Sequence, residues 1–256
     1  MLATLVSGLS TPLATAQTGE EKGLAQAKER KARDIGWGDS VAKTSMVLRN
    51  KKGDEATRKM RLKSLEVLDD GDKGLTIFDQ PRDVKGTAFL NFSHAIKPDE
   101  QWLFLPALKR VKRISSRNKS GPFMGSEFSY EDLSSFEIEK YNYNYLRDET
   151  VNGLDCFVVE QTPNDKYSGY TKLLVWTDKE HYRVQKIEFY DRKRSLLKTL
   201  TFNDYKQYLN KYWRSQKLSM INHQTGKSTD FITHELSFKT GLTDKDFNKA
   251  SLKRAR

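Results

Sequence analysis

The sequence of 256 residues predicts a mainly β protein, built as a single strongly curved antiparallel sheet of roughly ten strands. Two observations carry this prediction. Short segments alternate apolar and polar residues, as at 87–96, where Ala88, Leu90 and Phe92 share one face. Turn signals such as Val151–Gly153 separate the segments at intervals too short for crossover helices, which favours hairpins over βαβ units.

The predicted sheet starts with a hairpin. Its strands are Ser45–Asn50 and Thr57–Leu68, and the turn Lys51–Asp54 between them is rich in polar and glycine residues. Alternating strands of the same kind continue from Leu75–Asp79 to Lys227–Thr240. The sequence contains no repeat or linker that would divide this series, so one sheet in one domain is expected.

Two segments interrupt the strands. Glu20–Asp34 combines strong helix formers with a weak apolar stripe, which predicts a helix lying over an opening, and Trp37 follows it as a plug. Ser116–Phe136 is an apolar-rich excursion of roughly 20 residues between strands, and its part Ser126–Phe136 predicts a short helix or turn. Ordered excursions of this length are usually functional.

The N-terminus predicts export. Leu2–Leu13 is apolar and uncharged, and Ala14–Ala16 resembles the small-residue site of a signal peptidase. We therefore expect a signal peptide at 1–16, a single domain at 17–256 and a location in the periplasm of a Gram-negative cell. No basic residue precedes the apolar run, and a start codon assigned too far downstream would explain this. A short N-terminal segment of a cytosolic protein stays open as the alternative.

Catalytic and metal sites are not evident. The four histidines lie far apart, the single Cys156 cannot form an internal disulfide, and no nucleophile elbow or P-loop is present. Neighbouring carboxylates such as Glu131 and Asp132 are expected by chance in a chain with 31% charged residues. We expect no catalytic residues, no metal and no cofactor, with a hydrolase as a distant alternative.

A basic cluster stands out in a chain whose formal net charge is +11. It contains no acid and consists of Lys109, Arg110, Lys112, Arg113, Arg117 and Lys119. One interpretation is a charged edge strand that prevents aggregation. The other is a docking surface for anionic headgroups or an acidic partner protein. Nucleic-acid binding is disfavoured because the predicted export would separate the protein from it.

The apolar strand faces predict either an ordinary core or the wall of a cavity. A long sheet with only one evident helix has little to cover its apolar face, which favours a cavity, and Met and aromatic side chains suit variable acyl chains. The candidate lining residues are Met46, Leu48, Met60, Leu62, Leu90, Phe92, Trp102, Phe104, Trp176, Phe189 and Phe202.

The chain resembles the LolA-like family of outer membrane lipoprotein-sorting proteins. The resemblance rests on the N-terminal helix before a long series of strands and on four sequence segments: Gly86–Leu90, Asp99–Ile114, Gly125–Leu133 and the closing Phe247 and Leu252. It implies an incomplete, half-open β-barrel whose concave side is covered by helices as a lid. The lid residues would be Leu24, Trp37, Phe128, Tyr130 and Leu133.

The resemblance also implies a function. Members of the family carry acylated lipoproteins through the periplasm, so this chain would bind the acyl chains of a lipoprotein or lipid and move them toward the outer membrane. An inner-membrane transporter and an outer-membrane acceptor would be its partners, and it would act as a monomer. The alternative is a non-enzymatic adaptor of an inner-membrane lipid exporter of the resistance-nodulation-division type.

Overall fold

The computed structural model describes residues 17–254, and the expected signal peptide at 1–16 lies outside them. In this part of the chain thirteen strands form one antiparallel sheet, more than the roughly ten expected. The elements are α1 (Gly19–Arg33), β1 (Asp39–Arg49), β2 (Glu55–Leu65), β3 (Lys73–Gln80), β4 (Ala88–Phe92), β5 (Glu100–Leu105), β6 (Arg110–Ile114), β7 (Tyr141–Val151), β8 (Leu154–Pro163), β9 (Tyr170–Asp178), β10 (Val184–Asp191), β11 (Leu196–Tyr208), β12 (Tyr212–Asn222) and β13 (Ser228–Phe238).

The strand order explains why the barrel stays open. Every strand pairs with its neighbours in sequence, except that β1 also pairs with β13 and that β6 and β7 do not pair. The chain therefore starts in the middle of the sheet, runs to one edge at β6, and resumes at the opposite edge with β7. Residues 115–140 make this connection, and we name them the crossing segment.

The antiparallel strands give the sheet two ends. The near end carries the turns at 34–38, 66–72, 93–99, 179–183 and 209–211. The far end carries the turns at 50–54, 81–87, 106–109, 164–169, 192–195 and 223–227. We keep the names near end and far end for these two sets of turns.

The crossing segment packs against the concave face of the sheet. Phe123 is buried among Met46, Met60 and Phe89, on the half of the sheet that contains β1 to β6. Phe128 is buried in a second cluster formed by β9 to β13. Burying each such side chain contributes about 1.5–3 kcal/mol. The predicted excursion is confirmed as an ordered element. Its part predicted as a short helix or turn contains a 3₁₀ helix at Tyr130–Leu133.

The outer face of the sheet is also covered. Phe247 and Leu252, from the C-terminal segment, pack against Leu75, Leu90 and Trp102. Strands β4 and β5 are therefore apolar on both faces, because each face meets another part of the chain. A second outer cluster forms where Trp176 packs with its neighbours on β8 and β9.

Helix α1 lies on the concave side against β7, within one residue of its predicted bounds. The Thr18 hydroxyl accepts a hydrogen bond from the Glu21 N–H, and the Glu21 carboxylate accepts one from the Thr18 N–H, which forms a capping box. Ala27 is fully buried against Tyr143 and Val159. The helix thus begins at a defined residue and rests on the edge of the sheet.

Gly23 sets the distance between α1 and β7. A Cβ atom at this position would lie 2.9 Å from the backbone N of Tyr145 and 3.1 Å from that of Asn144. Backbone atoms of a paired strand cannot give way as a side chain could. The helix would have to move outward to accept any side chain here.

We predict that Gly23→Ala destabilises the fold although alanine is the better helix former by about 1 kcal/mol. The overpacking should lower the free energy of unfolding by about 1–3 kcal/mol, measured by urea denaturation. Lys28→Ala, an exposed position of the same helix, is the control and should change it little. An increase in stability in Gly23→Ala would show that the helix is free to shift.

Candidate functional site

A cavity of about 810 Å³ opens at the near end. Its walls come from the C-terminal half of α1, the crossing segment at 132–136, the near-end parts of β1 to β4 and β10 to β13, and the turns at 179–183 and 209–211. The apolar side chains in its wall are Trp37, Leu133, Phe136, Val184, Phe202, Trp213, Leu218 and Phe238. Its volume falls in the range of about 300–1,000 Å³ that is usual for a small-molecule site.

Trp37 is held at this cavity by its neighbours. Gly36 and Gly38 flank it with φ angles of +99° and +79°, which glycine adopts without a steric cost. The Glu66 carboxylate accepts a hydrogen bond of 2.7 Å from the backbone N–H of each glycine. The indole lies edge-on to the Phe238 ring with 6.1 Å between centroids. The plug predicted from the sequence is therefore a fixed part of the wall.

The rest of the wall is strongly basic. Seven lysines and arginines line the cavity against three aspartates, so its local charge favours an anion. The cations are Arg30, Lys31, Arg33, Lys73, Arg183, Lys211 and Arg214, and the acids are Asp34, Asp72 and Asp132. The cavity thus combines an apolar floor with charged walls, whereas the sequence predicted a purely apolar one.

A buried ion pair fixes the crossing segment to the sheet. The Lys198 Nζ lies 2.6 Å from the Asp132 Oδ2, and both side chains are only 4% exposed. Asp132 also accepts hydrogen bonds from the Tyr170 hydroxyl and the Ser129 N–H, each at 2.7 Å. The Lys198 ammonium donates a further bond to the Glu127 carbonyl. Every charge in this pair is compensated, as a buried pair requires.

Glu131 makes the second attachment of the crossing segment. Its carboxylate accepts hydrogen bonds from the Ser168 hydroxyl at 2.9 Å and the Gly169 N–H at 2.8 Å. Burial, with the charge of Asp132 next to it, raises the pKa of Glu131. The cost of that burial shows that the two acids are held in place by the fold, since unconstrained carboxylates would separate into solvent.

A second cavity of about 610 Å³ opens at the far end. It is lined by other residues of the crossing segment, including Glu127 and Phe128, and by Arg192, Lys198 and Lys227 of the sheet. Asp132 lines the near-end cavity and Lys198 lines the far-end one, so their ion pair lies between the two. The crossing segment therefore divides the concave side into two compartments.

Comparison with solved structures identifies the family. A domain from Vibrio parahaemolyticus, named for outer membrane lipoprotein sorting, is 70% identical with a TM-score of 0.90, over 92% of this chain and 100% of that one. The chain belongs to the LolA-like outer membrane lipoprotein-sorting family. A family model described as an uncharacterized protein matches residues 70–254. A search of curated protein sequences finds no match.

Two more distant structures show that the LolA-like fold extends over most of the chain. A DUF1329 family protein from Desulfovibrio piger is 28% identical with a TM-score of 0.86, covering 92% of this chain and 99% of that one. A LolA superfamily protein from Nitrosomonas europaea is 19% identical with a TM-score of 0.71, over 89% and 98%. At that identity the last comparison shows the fold alone.

Six of the eleven predicted lining residues of this LolA-like chain face the concave side: Met46, Leu48, Met60, Leu62, Phe189 and Phe202. Most of them pack against the crossing segment or one another, and Phe202 alone of the six contributes to the near-end cavity. Contact of these residues with a lipid stays a prediction.

The other five predicted lining residues lie on the outer face of the sheet and not on its concave face. Leu90, Phe92, Trp102 and Phe104 lie on the outer face with Phe247, and Trp176 lies on the outer face with Val158. Alternation groups residues by face, but it does not say which face is concave. On β4, β5 and β9 both faces carry apolar residues, so the pattern alone does not distinguish the concave face from the outer one.

The predicted lid residues lie on the concave side. Leu24 packs beside Tyr143, and Tyr130 contacts Phe89 and Phe123. Trp37 and Leu133 line the near-end cavity, while Phe128 lines the far-end one. The helix and the crossing segment thus cover the concave face together, as the half-open LolA-like barrel implies.

The predicted docking cluster divides in two. Lys109, Arg110, Lys112, Arg113 and Arg117 are exposed, and the first four belong to the edge strand β6 and the far-end turn before it. Lys119 does not belong to this exposed surface, because its ammonium pairs with Asp165 at 2.6 Å and its side chain is only 19% exposed. Lys119 instead anchors the crossing segment.

Sequence reasoning missed the charged residues of the near-end cavity. Arg30 follows Ala27, Gln26 and Gly23 by three, four and seven residues, which places it on their face of the helix, and those three are buried. An arginine on the buried face of an amphipathic helix was the available signal. Among residues 17–254 there is no helix able to span a membrane and no group of three or more potential metal ligands.

We predict that Lys198→Met lowers the free energy of unfolding by about 3–5 kcal/mol, because it leaves the buried Asp132 without its counter-ion. Asp132→Asn with Lys198→Met should recover part of this loss. Urea denaturation measures both. The control is Lys43→Met, since Lys43 and its partner Glu235 are each 63% exposed and their pair should contribute no more than about 1 kcal/mol. Equal losses in the two lysine variants would contradict the prediction.

Asp72, in the wall of the near-end cavity, should make stability depend on pH. Burial raises its pKa from the ordinary 3.8 to about 6. The folded protein thus binds more protons than the unfolded chain between these values, so stability falls as pH rises through this range.

We predict that Asp72→Asn raises the free energy of unfolding at neutral pH by about 1–3 kcal/mol, an effect that disappears near pH 4. The amide oxygen can still accept the Val67 N–H. Denaturation curves at both pH values test this, with the exposed Asp69→Asn as control. A destabilised Asp72→Asn at neutral pH would show that the ionised form is needed.

Proposed function

We propose that this protein is a periplasmic carrier that binds the acyl chains of a lipoprotein or lipid in the near-end cavity and moves them toward the outer membrane. The observation that carries the proposal is the cavity of about 810 Å³, with its floor of Phe202 and Leu218, in a LolA-like fold. The name of the Vibrio parahaemolyticus relative refers to the same process.

Carriage requires no bond to be made or broken. Transfer of an acyl chain from water into an apolar cavity contributes about 0.8 kcal/mol per CH₂ group, so even a short chain binds. Retention is then easy, and release is the step that needs a mechanism. The protein must open, or present a less favourable cavity, when it meets the acceptor.

Helix α1 is the element we assign to this opening. Few apolar residues hold it to the sheet, chiefly Leu24 and Ala27 against Tyr143 and Val159. Near its C-terminus, the Lys31 ammonium contacts the Glu137 carboxylate at 2.9 Å. The crossing segment has two buried aromatic side chains and the Asp132–Lys198 pair in its support. The helix therefore requires less free energy to move.

The exposed basic residues suit a separate role. Lys109, Arg110, Lys112 and Arg113 lie on β6 and at the far end, away from the opening of the near-end cavity. An inner-membrane transporter or an outer-membrane acceptor with an acidic surface could bind there without blocking the cavity. Edge-strand protection explains the same residues without a partner.

The test of the carrier is to identify lipid in the protein itself. Mass spectrometry of organic extracts from gently purified protein should find acylated species, and added lipid should displace a fluorescent fatty acid from the protein. A protein that yields no lipid and binds no probe would contradict the carrier and favour the adaptor of a lipid exporter.

We predict that Phe202→Glu weakens binding of the fluorescent fatty acid by at least tenfold, because a carboxylate replaces apolar surface in the cavity floor. Fluorescence titration measures the dissociation constant. Ile221→Glu makes the same kind of change at a half-exposed position outside the cavity, and it should bind like the wild type. Thermal melting of both variants identifies any loss of folding, and Leu218→Gln provides a milder second change. Equal weakening in Phe202→Glu and Ile221→Glu would place the ligand elsewhere.

A further inference from the structure

Arg30 differs from the other cations of the near-end cavity. Its guanidinium lies over the Phe136 ring, 3.9 Å from the centroid, with its side chain partly buried. It forms no hydrogen bond and no ion pair with any residue between 17 and 254. Burial lowers the pKa of Arg30, which means that its charge is poorly solvated there.

The remaining cations of the cavity already have partners. Arg183 contacts the Asp178 carboxylate at 2.8 Å, and Arg214 contacts that of Asp34 at 2.6 Å. Lys31, Arg33 and Lys73 are also paired with acids, while Lys211 donates to the Ile35 carbonyl. Arg30 and Lys211 are therefore the two cations of this cavity without an acidic partner, and of the two only the Arg30 guanidinium also has no hydrogen-bond acceptor among the described residues.

The nearby carboxylate of Asp34 interacts with Arg30 only at longer range and forms its ion pair with Arg214 instead. The hydroxyl groups around Arg30 are neutral and already engaged. The hydroxyl of Tyr143 donates to the Ile138 carbonyl at 3.0 Å, and the hydroxyl of Tyr205 donates to the Val184 carbonyl at 2.6 Å. Both phenols stay neutral, because burial raises the pKa of each. A partly buried cation that lies over an aromatic ring and has no directly paired counter-ion gains more from an incoming anion than a cation in water does.

The apolar residues of the cavity floor line the same cavity as Arg30. Phe202, Leu218 and Val184 line the cavity together with Arg30, so an apolar chain and a charged group can be bound at once. We propose that the near-end cavity selects an anionic amphiphile, whose carboxylate or phosphate binds the Arg30 guanidinium while its acyl chain lies along Phe202 and Leu218. This inference rests on the proposed carrier function and specifies the chemical class of its ligand.

The experiment compares two ligands that differ only in charge. Parinaric acid and its methyl ester carry the same fluorescent chain, and titration at a pH where the acid is ionised gives both dissociation constants. The wild type should bind the acid roughly tenfold to a hundredfold more tightly, as expected for a charge-assisted hydrogen bond. Arg30→Gln should remove this preference and leave the affinity for the ester unchanged.

Two further variants separate position from charge. Arg30→Lys keeps the charge but loses the planar pair of donors, so it should keep part of the preference. Lys28→Gln removes the same charge from an exposed site of α1 and should keep all of it. Melting curves establish that each variant is folded before its titration. Inorganic phosphate should not displace the ester.

The outcomes distinguish a failure of this inference from a failure of the proposed carrier function on which it rests. Equal affinity of the wild type for acid and ester would overturn the role of Arg30 and leave the carrier function intact. Binding of neither ligand would overturn the carrier function. A preference that survives in Arg30→Gln would place the anion at another cation. Tight binding of phosphate alone would make the site one for free anions.

Discussion

An open antiparallel sheet of thirteen strands has a large concave face and no second layer to cover it, and the rest of the structure depends on how that face is filled. The crossing segment solves this because its two ends are fixed at opposite edges of the sheet. It has to pass over the concave side, and it places Phe123 and Phe128 in the two halves of the core. The Asp132–Lys198 ion pair, almost completely buried, then fixes its position.

The same arrangement decides where a site can exist. Most apolar residues of the concave face are already covered by the crossing segment, so the accessible space lies at the near and far ends. The near-end space has an apolar floor because β10 to β12 extend beyond the crossing segment. Its wall is charged because the last turn of α1 and the turn before β10 are rich in arginine and lysine. A barrel that was merely half closed would have left a continuous apolar trough.

The sequence predicted the class of fold, because the period of two and the spacing of turns depend only on local chemistry. The capped helix and the apolar excursion were likewise evident from short segments. The choice of face was not evident. Leu90 and Trp102 pack against Phe247, which lies far along the chain. The pairing of Lys198 with Asp132 and the isolation of Arg30 were equally hidden. Each depends on residues that only the folded sheet brings together.

The division of the concave side has a consequence for how a ligand enters and leaves the protein. A tube with two connected openings could take a chain in at one end and discharge it at the other. Here the crossing segment stands between the compartments as a partition, held by a buried charge pair. In the carrier proposed above, an acyl chain bound in the near-end cavity would have to leave by the opening through which it entered. The donor and the acceptor would then have to bind at the same opening of the protein, and only one of them could bind there at a time.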